Sequence, residues 1–568
     1  MLKSMWIAGL ALTMALSFTT ARAGEPEAVG PELRVLLAPR MAADAVAVVD
    51  VQVTLEAPDA AQGDVLIELP LIRAMAPSAL QDSSALSASD DRGPLALTVD
   101  EDPVDPTGFR QDRRWRVQRA TVGDVVVHYQ ATPREITPAT RPGPLFDMRG
   151  EGQGFHGSGA VIIALPPEGW PRPVRIDWDL SDMPEGARGA NSLGEGSIQA
   201  VVPKHGVAGS YFMAGTLHSL PGDGRGAFVG YWITPPAFDL ENALGRIEAA
   251  YGRFSTFFGD EAAPFRVFMR TTPAFAGGGS GGYNSFMFGN VEGQTREEAE
   301  VLGLLAHETL HNWLNGLGEE TSQWWSEGTT TYYTEVLSYR AGLTSLDQFQ
   351  TAMNDLARSY YTNPRSNLPN DEVTRLFFSD GDAQLVPYQR GPIYFAQVDA
   401  RMRAASNGEK RVDDLVLALL DARRTGGDYS RAGWVALLRR ELGEAGVAEF
   451  ETMMAGRPMD LPGNLLGPCF EREAATLRRF EPGFRVEHDG RVTRLLPEGH
   501  GARAGVRDGD RLADPDALEA LEAAGPGEAT LALVRDGQAV SITFEPWGPA
   551  RQGYRWVRND TPEQACGI

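Results

Sequence analysis

Residues 307–311 read His307-Glu308-Thr309-Leu310-His311. In a helix, positions i and i+4 lie on one face, so both imidazoles can reach a single metal ion. Glu308 sits beside them, and its carboxylate can take a proton from water at such a centre. The flanks also read as helix. Thr295 and Glu298 form a capping-box pattern at the expected start. Val301, Leu304 and Leu305 supply an apolar side, and Gly316 is an expected stop. By chance, H-E-x-x-H occurs in a chain of this composition with a probability on the order of one per cent. The bland alternative is an exposed helix with two unrelated histidines.

The next stretch argues against that alternative. Trp324-Trp325-Ser326-Glu327-Gly328 opens a second helical run, Thr329 to Tyr339. Glu327 lies sixteen positions beyond His311, enough chain for a turn and a return. His307, His311 and Glu327 would then make a three-ligand site for one Zn2+ with a position left for water. That is the open arrangement of a catalytic zinc, not the closed one of a structural zinc. Trp313, Trp324 and Trp325 are expected in the core.

With these motifs the chain resembles the glycyl-aminopeptidase family of gluzincin metallopeptidases, relatives of aminopeptidase N. The resemblance rests on His307-Glu-x-x-His-x-Trp313, on Trp325-Ser-Glu-Gly-x-x-x-Tyr-Tyr333 and on Pro387-Tyr388-Gln-Arg-Gly391. It implies a multidomain α+β fold. The parts would be a β-rich N-terminal domain, a mostly helical, thermolysin-like zinc peptidase domain and a C-terminal PDZ domain. It also implies that Tyr388 donates a hydrogen bond to the tetrahedral oxyanion. A neutral phenol suits that task, being a donor that adds no charge at pH 7. One stretch departs from the family. Where the family has Gly-Gly-Leu-Glu-His, whose backbone binds the peptide and whose Glu binds the free amino group, this chain has Gly281-Gly282-Tyr283-Asn284-Ser285. Asn284 supplies no charge, so recognition of an ammonium group should weaken. Altered specificity or endopeptidase action is the expected result, unless Glu292, Glu319 or Glu320 substitutes. The spacing from His311 to Glu327 is also shorter than in aminopeptidase N.

Outward from these motifs, the expected divisions are a signal peptide (1–23), a β-rich domain (24–225), the catalytic domain (226–467), a PDZ-like domain (468–548) and a C-terminal tail (549–568). Lys3, the apolar run Trp6 to Phe18 and Ala21-Arg22-Ala23 read as a cleavable secretory signal. The expectation is a periplasmic or secreted protein with no stable membrane anchor after cleavage. β-Branched runs such as 45–55, 64–69, 124–129 and 174–180 predict antiparallel strands in the N-terminal part. His128 and His156 there are expected to be structural or surface residues. The sequence 490–512 has the PDZ pattern of strand, small-residue helix and Gly-Asp turn, with Pro482-Gly483-Phe484 as a candidate carboxylate-binding loop for peptide C-termini.

Composition narrows the function classes. The formal net charge is -24, which disfavours nucleic-acid partners because phosphates would be repelled. There are 2 cysteines, too few for a cysteine-only metal site. In an oxidising compartment Cys469 and Cys566 can pair and tie down the tail. The leading expectation is therefore a zinc peptidase acting on peptides. The competing one is a peptide-binding or quality-control protein with a vestigial zinc site. Such a site should have lost a ligand or the base, yet His307, Glu308, His311, Glu327 and Tyr388 are all present. Hydrolysis of a non-peptide amide or ester would use the same residues.

Overall fold

The computed structural model describes residues 30–106, 108–136, 140, 144–260, 264–273, 278–318, 322–487 and 489–568. The expected signal peptide lies outside the described residues, as do Glu319 and Glu320. The chain divides into two compact units, one ending at Asn315 and one running from Gly316 to Ile568. The division falls inside the segment expected to be catalytic.

The first unit begins with the β-rich part. A seven-stranded sheet contains Leu33–Ala42, Ala45–Leu55, Val125–Ala131 and Arg172–Trp178. The β-branched runs place one face inward: Val49, Val51, Val53 and Leu55 alternate into the core. A five-stranded sheet, with Gly154–Ser158 and Tyr211–Gly215 at its centre, joins the same core through Phe155 and Phe212. His156 is buried beside Glu151, at 3.3 Å, and His128 is exposed.

A second five-stranded sheet carries the glycine-rich segment. Its strands are β1 (His218–Leu220), β2 (Phe228–Trp232), β3 (Phe265–Thr272), β4 (Gly279–Gly282) and β5 (Ser285–Val291), in the order β1-β2-β3-β5-β4. β2, β3 and β5 are parallel neighbours, and β4 folds back on β5 as an antiparallel hairpin. Helix α1 (Leu240–Phe257) makes the crossover from β2 to β3 that a parallel pair requires. Its inward face is Leu244, Ile247, Tyr251 and Phe254, at helical spacing. Asp147 ties β3 to the β-rich part through Arg270 (2.9 Å) and Arg149 (2.9 Å). Burial would raise this carboxyl, but the two guanidiniums outweigh it and hold it down at about 2.

Helix α2 (Glu298–Leu310) follows. The capping box expected from Thr295 and Glu298 does not form. The N-cap is Glu297, without a side-chain cap bond. Glu298 instead accepts from Arg246 (2.6 Å) and Asn242 (2.8 Å) on α1. A charged partner on a packed neighbour outcompetes a local bond to backbone.

The second unit is helical and then returns to strands. Helices α3 (Gln323–Arg340), α4 (Leu346–Thr362) and α5 (Gly381–Ala405) come first, followed by Val412–Thr425 and Arg431–Met454. α5 is buried along most of its length and packs on α3 and α4. Strand β6 (Phe470–Leu477) pairs with β7 (Arg551–Arg558), so part of the expected tail is a strand. Trp556 of β7 is buried, and Asn354 and Gln350 of α4 bond its backbone. Between β6 and β7 lies a smaller layer. Strands Arg511–Leu512, Ala529–Arg535 and Gln538–Phe544 form a sheet, and Phe484, Val492, Leu531 and Phe544 contribute to its own core. A disulfide joins Cys469 to Cys566, just outside the two ends of the ribbon. Among the described residues, no helix is long and apolar enough to cross a membrane.

Candidate metal centre and active site

His307 lies in the last turn of α2, and His311 is its C-cap with helical φ and ψ. The helix thus stops at the second histidine, earlier than Gly316. The two Nε2 atoms stand 3.2 Å apart. Two nitrogens each ~2.0–2.1 Å from a tetrahedral zinc would be roughly 3.3 Å apart, so the pair fits that ion. The Nδ1–H of His311 donates to the Leu314 carbonyl at 3.1 Å, which leaves Nε2 as the ligand atom. Glu327 sits one turn into α3 and is buried. One ligand atom from each of His307, His311 and Glu327 lies within 4.8 Å of the others. Glu308 is buried too. Buried carboxylates beside imidazoles are costly unless a cation offsets them, and a divalent ion does so.

Two glycines bring the helices of the second unit together. A Cβ on Gly391 would stand 2.4 Å from the Gly328 Cα, and one on Gly328 would stand 2.9 Å from the Gly391 Cα. α3 and α5 therefore cross backbone to backbone at the glycines of the two motifs. Glu327 adjoins one of them, and buried Tyr388 lies one turn before the other. Arg390 is buried and donates to the carbonyls of Ser366 (3.0 Å) and Leu368 (2.7 Å), a structural task. Burial lowers its pKa to about 10, so it stays charged at neutral pH. The tryptophans pack as expected. Trp313 stacks on Phe258 at 4.9 Å, Trp324 meets Phe450 at 5.0 Å, and Trp325 meets Trp434 at 5.4 Å.

The glycine-rich segment is an edge hairpin. β4 is the last strand of its sheet, and the Gly289 N–H donates to the Gly278 carbonyl. Alternation along the ladder then turns the N–H and C=O groups of Gly279 and Gly281 toward the open edge. Gly281 and Gly282 are strand, whereas Tyr283 and Asn284 form the turn, with Asn284 at φ 46°. Asn tolerates that left-handed conformation better than most residues. The β4 residue abreast of Glu308 is Gly279, whose Cβ would stand 3.1 Å from the Glu308 Oε1. Ser280 faces the other way. Its hydroxyl accepts from the Leu145 N–H, and its carbonyl accepts from the Tyr211 phenol at 2.8 Å. Burial holds that phenol well above its ordinary pKa, so it remains a neutral donor. Glu292 follows β5 and is exposed. The roles of Gly279, Gly328 and Gly391 were missed in sequence, because a glycine that makes room for a distant atom looks like any turn glycine.

The fold resembles that of an aminopeptidase N family protein. The chain resembles the crystal structure of an aminopeptidase N family protein from Idiomarina loihiensis with a TM-score of 0.64 and 15% identity, over 94% of this chain and 99% of that one. It is less similar to an M1 zinc metallopeptidase of Deinococcus radiodurans solved with a Tyr-Ser-Ala substrate, with a TM-score of 0.43 and 15% identity, over 76% of this chain and 95% of that one. More particularly, residues 317–374 match the M61 glycyl aminopeptidase family profile. That segment contains Glu327 but neither the two histidines nor Tyr388. No curated protein sequence matches the chain.

Proposed function

We propose that the protein is a zinc-dependent peptidase, aminopeptidase-like, with altered recognition of the substrate N-terminus. The observation that carries this reading is the group of His307, His311 and Glu327 with Glu308 next in sequence to a ligand. His307, His311 and Glu327 would hold one Zn2+. When bound, zinc acidifies water and polarises a carbonyl. Glu308 accepts a proton at its carboxylate and passes it to the leaving amine nitrogen. Tyr388 donates its phenolic O–H to the oxyanion. The open edge at Gly279 and Gly281 takes the peptide as an added strand. Glu308→Gln should retain zinc in metal analysis and lose at least ~10²-fold in kcat. A metal-replete variant with native turnover would refute the assignment.

Endopeptidase action is the second reading, and the composition of β4 favours it. The strand Gly279–Gly282 contains no carboxylate for an ammonium group. Matched peptides with free and acetylated N-termini separate the two. Equal or better kcat/KM for the acetylated peptide supports the endopeptidase. Strong preference for the free amine would show that a carboxylate elsewhere does the work. The layer between β6 and β7 is read as PDZ-like, offering a groove to peptide C-termini. The Cys469–Cys566 disulfide supports export to the periplasm or the exterior, where such bonds persist.

A further inference from the structure

A cavity of about 360 Å³ opens in the β-rich part of the first unit, lined only by residues between Glu68 and Gly209. Its charge is opposite to that of the chain. Arg73, Arg110, Arg113, Arg114 and Lys204 line it against two carboxylates, Glu68 and Asp112, in a protein of net charge -24. Both carboxylates are already engaged. Glu68 pairs with Lys204 (2.6 Å) and Arg114 (3.5 Å), and Asp112 with Arg110 (2.6 Å). Arg113 spends its guanidinium on the carbonyls of Leu69 and Leu80. Arg73 is the exception. Among the described residues, no ion pair or hydrogen bond of its guanidinium is seen, although it is largely shielded from solvent. Burial and the neighbouring Arg110 lower its pKa, and the Asp112 charge offsets them only in part.

Beside Ser158 and His205, the rest of the wall is apolar. Phe146, Ile163 and Leu165 are all buried and face the cavity. A pocket of this size, mostly apolar with a few convergent polar groups, is the ordinary form of a small-molecule site. We propose that the cavity binds a small organic carboxylate with an apolar group. The carboxylate would meet the Arg73 guanidinium, and the apolar group would lie against Phe146, Ile163 and Leu165. An Arg fork matches a carboxylate in two parallel bonds, which is why Arg73 is assigned the anion. The same chemistry has two sources, a free alkanoic acid or the C-terminus of a short peptide. The cavity also adjoins the β4–β5 turn: the Tyr283 N–H donates to the Gly209 carbonyl, and the Tyr283 ring meets His205 at 5.5 Å.

The test uses the full-length, zinc-loaded protein with a saturating hydroxamate, so that carboxylates do not report on the metal site. Hexanoate and N-acetyl-leucine are titrated by ligand-observed NMR against their neutral amides. The expected result is saturable binding of at least one acid, with its amide at least tenfold weaker. Arg73→Gln should weaken that acid at least tenfold. Which acid binds tighter identifies the source. No saturation by either acid, equal binding of acid and amide, or native affinity in a folded Arg73→Gln protein would each overturn the proposal. If Arg73→Gln does not fold, the comparison of acid with amide on the native chain decides alone.

Discussion

Gly391→Ala is the sharpest test of how α3 and α5 seat Glu327 and Tyr388. The added Cβ would stand 2.4 Å from the Gly328 Cα and 3.3 Å from the Trp324 carbonyl oxygen. Carbon atoms in good contact stand about 3.5–4.0 Å apart, so α3 and α5 must part by roughly 1 Å. The obstacle is backbone, which cannot rotate aside as a side-chain tip can. Overpacking of this kind costs about 1–3 kcal/mol. The functional effect should be larger, because Glu327 rides on α3 beside Gly328 and Tyr388 on α5 one turn from Gly391. A displacement near 1 Å costs on the order of 10²-fold in rate. The assay is a thermal melt, zinc stoichiometry and kcat/KM on one peptide. Gly381→Ala is the control, since a Cβ at the start of the same helix meets nothing within 4 Å. It should stay within about 0.5 kcal/mol of the native protein. If Gly391→Ala matches Gly381→Ala in both Tm and turnover, the glycine crossing is not what positions Glu327 and Tyr388.

Two further predictions concern stability in the second unit. Removing the Cys469–Cys566 bridge, which spans 97 positions, should destabilise the unit by about 4–5 kcal/mol on the loop-entropy account. Urea unfolding of the Cys469→Ala/Cys566→Ala protein checks this, and an unchanged midpoint would refute it. Glu335 on α3 is pushed up to about 7 from an ordinary 4.5, first by burial and then by the Asp355 charge. The folded state therefore binds more protons than the unfolded chain between those values, and stability falls as pH rises from about 4.5 to 7. The full cost is about 3 kcal/mol, reached above pH 7. Glu335→Gln should raise Tm at pH 8 and have little effect at pH 4, and a pH-independent difference would refute the reasoning.

What was legible in sequence was local. The His307-Glu-x-x-His311 helix, the Glu327 helix and the β-branched runs all announce themselves by spacing. Alternation at 45–55 and helical periodicity at 240–258 give the strand Ala45–Leu55 and helix α1. What was illegible depends on partners far along the chain. Glu298 leaves its capping box for Arg246, a residue 52 positions away. The strand Arg551–Arg558 reads as tail until Phe470–Leu477 and α4 are beside it. The glycine run reads equally well as a loop, because nothing local says that β5 will pair with it.

The same long-range packing explains why β4 is nearly bare of side chains. At Gly279 the Glu308 carboxylate occupies the place a Cβ would approach, at 3.1 Å. At Gly282 a Cβ would strike the Gly209 carbonyl oxygen at 2.6 Å. Ser280 points to the opposite face and is engaged by Leu145 and Tyr211. A carboxylate cannot be added at 279 or 282 without moving backbone or Glu308, and at 280 it would sit on the opposite face. What remains is a strand that offers its backbone and little else. Backbone bonds give affinity without reading the end of a peptide. The tight seating of Glu308 under Gly279 and the scarcity of side chains on β4 are thus parts of one packing arrangement.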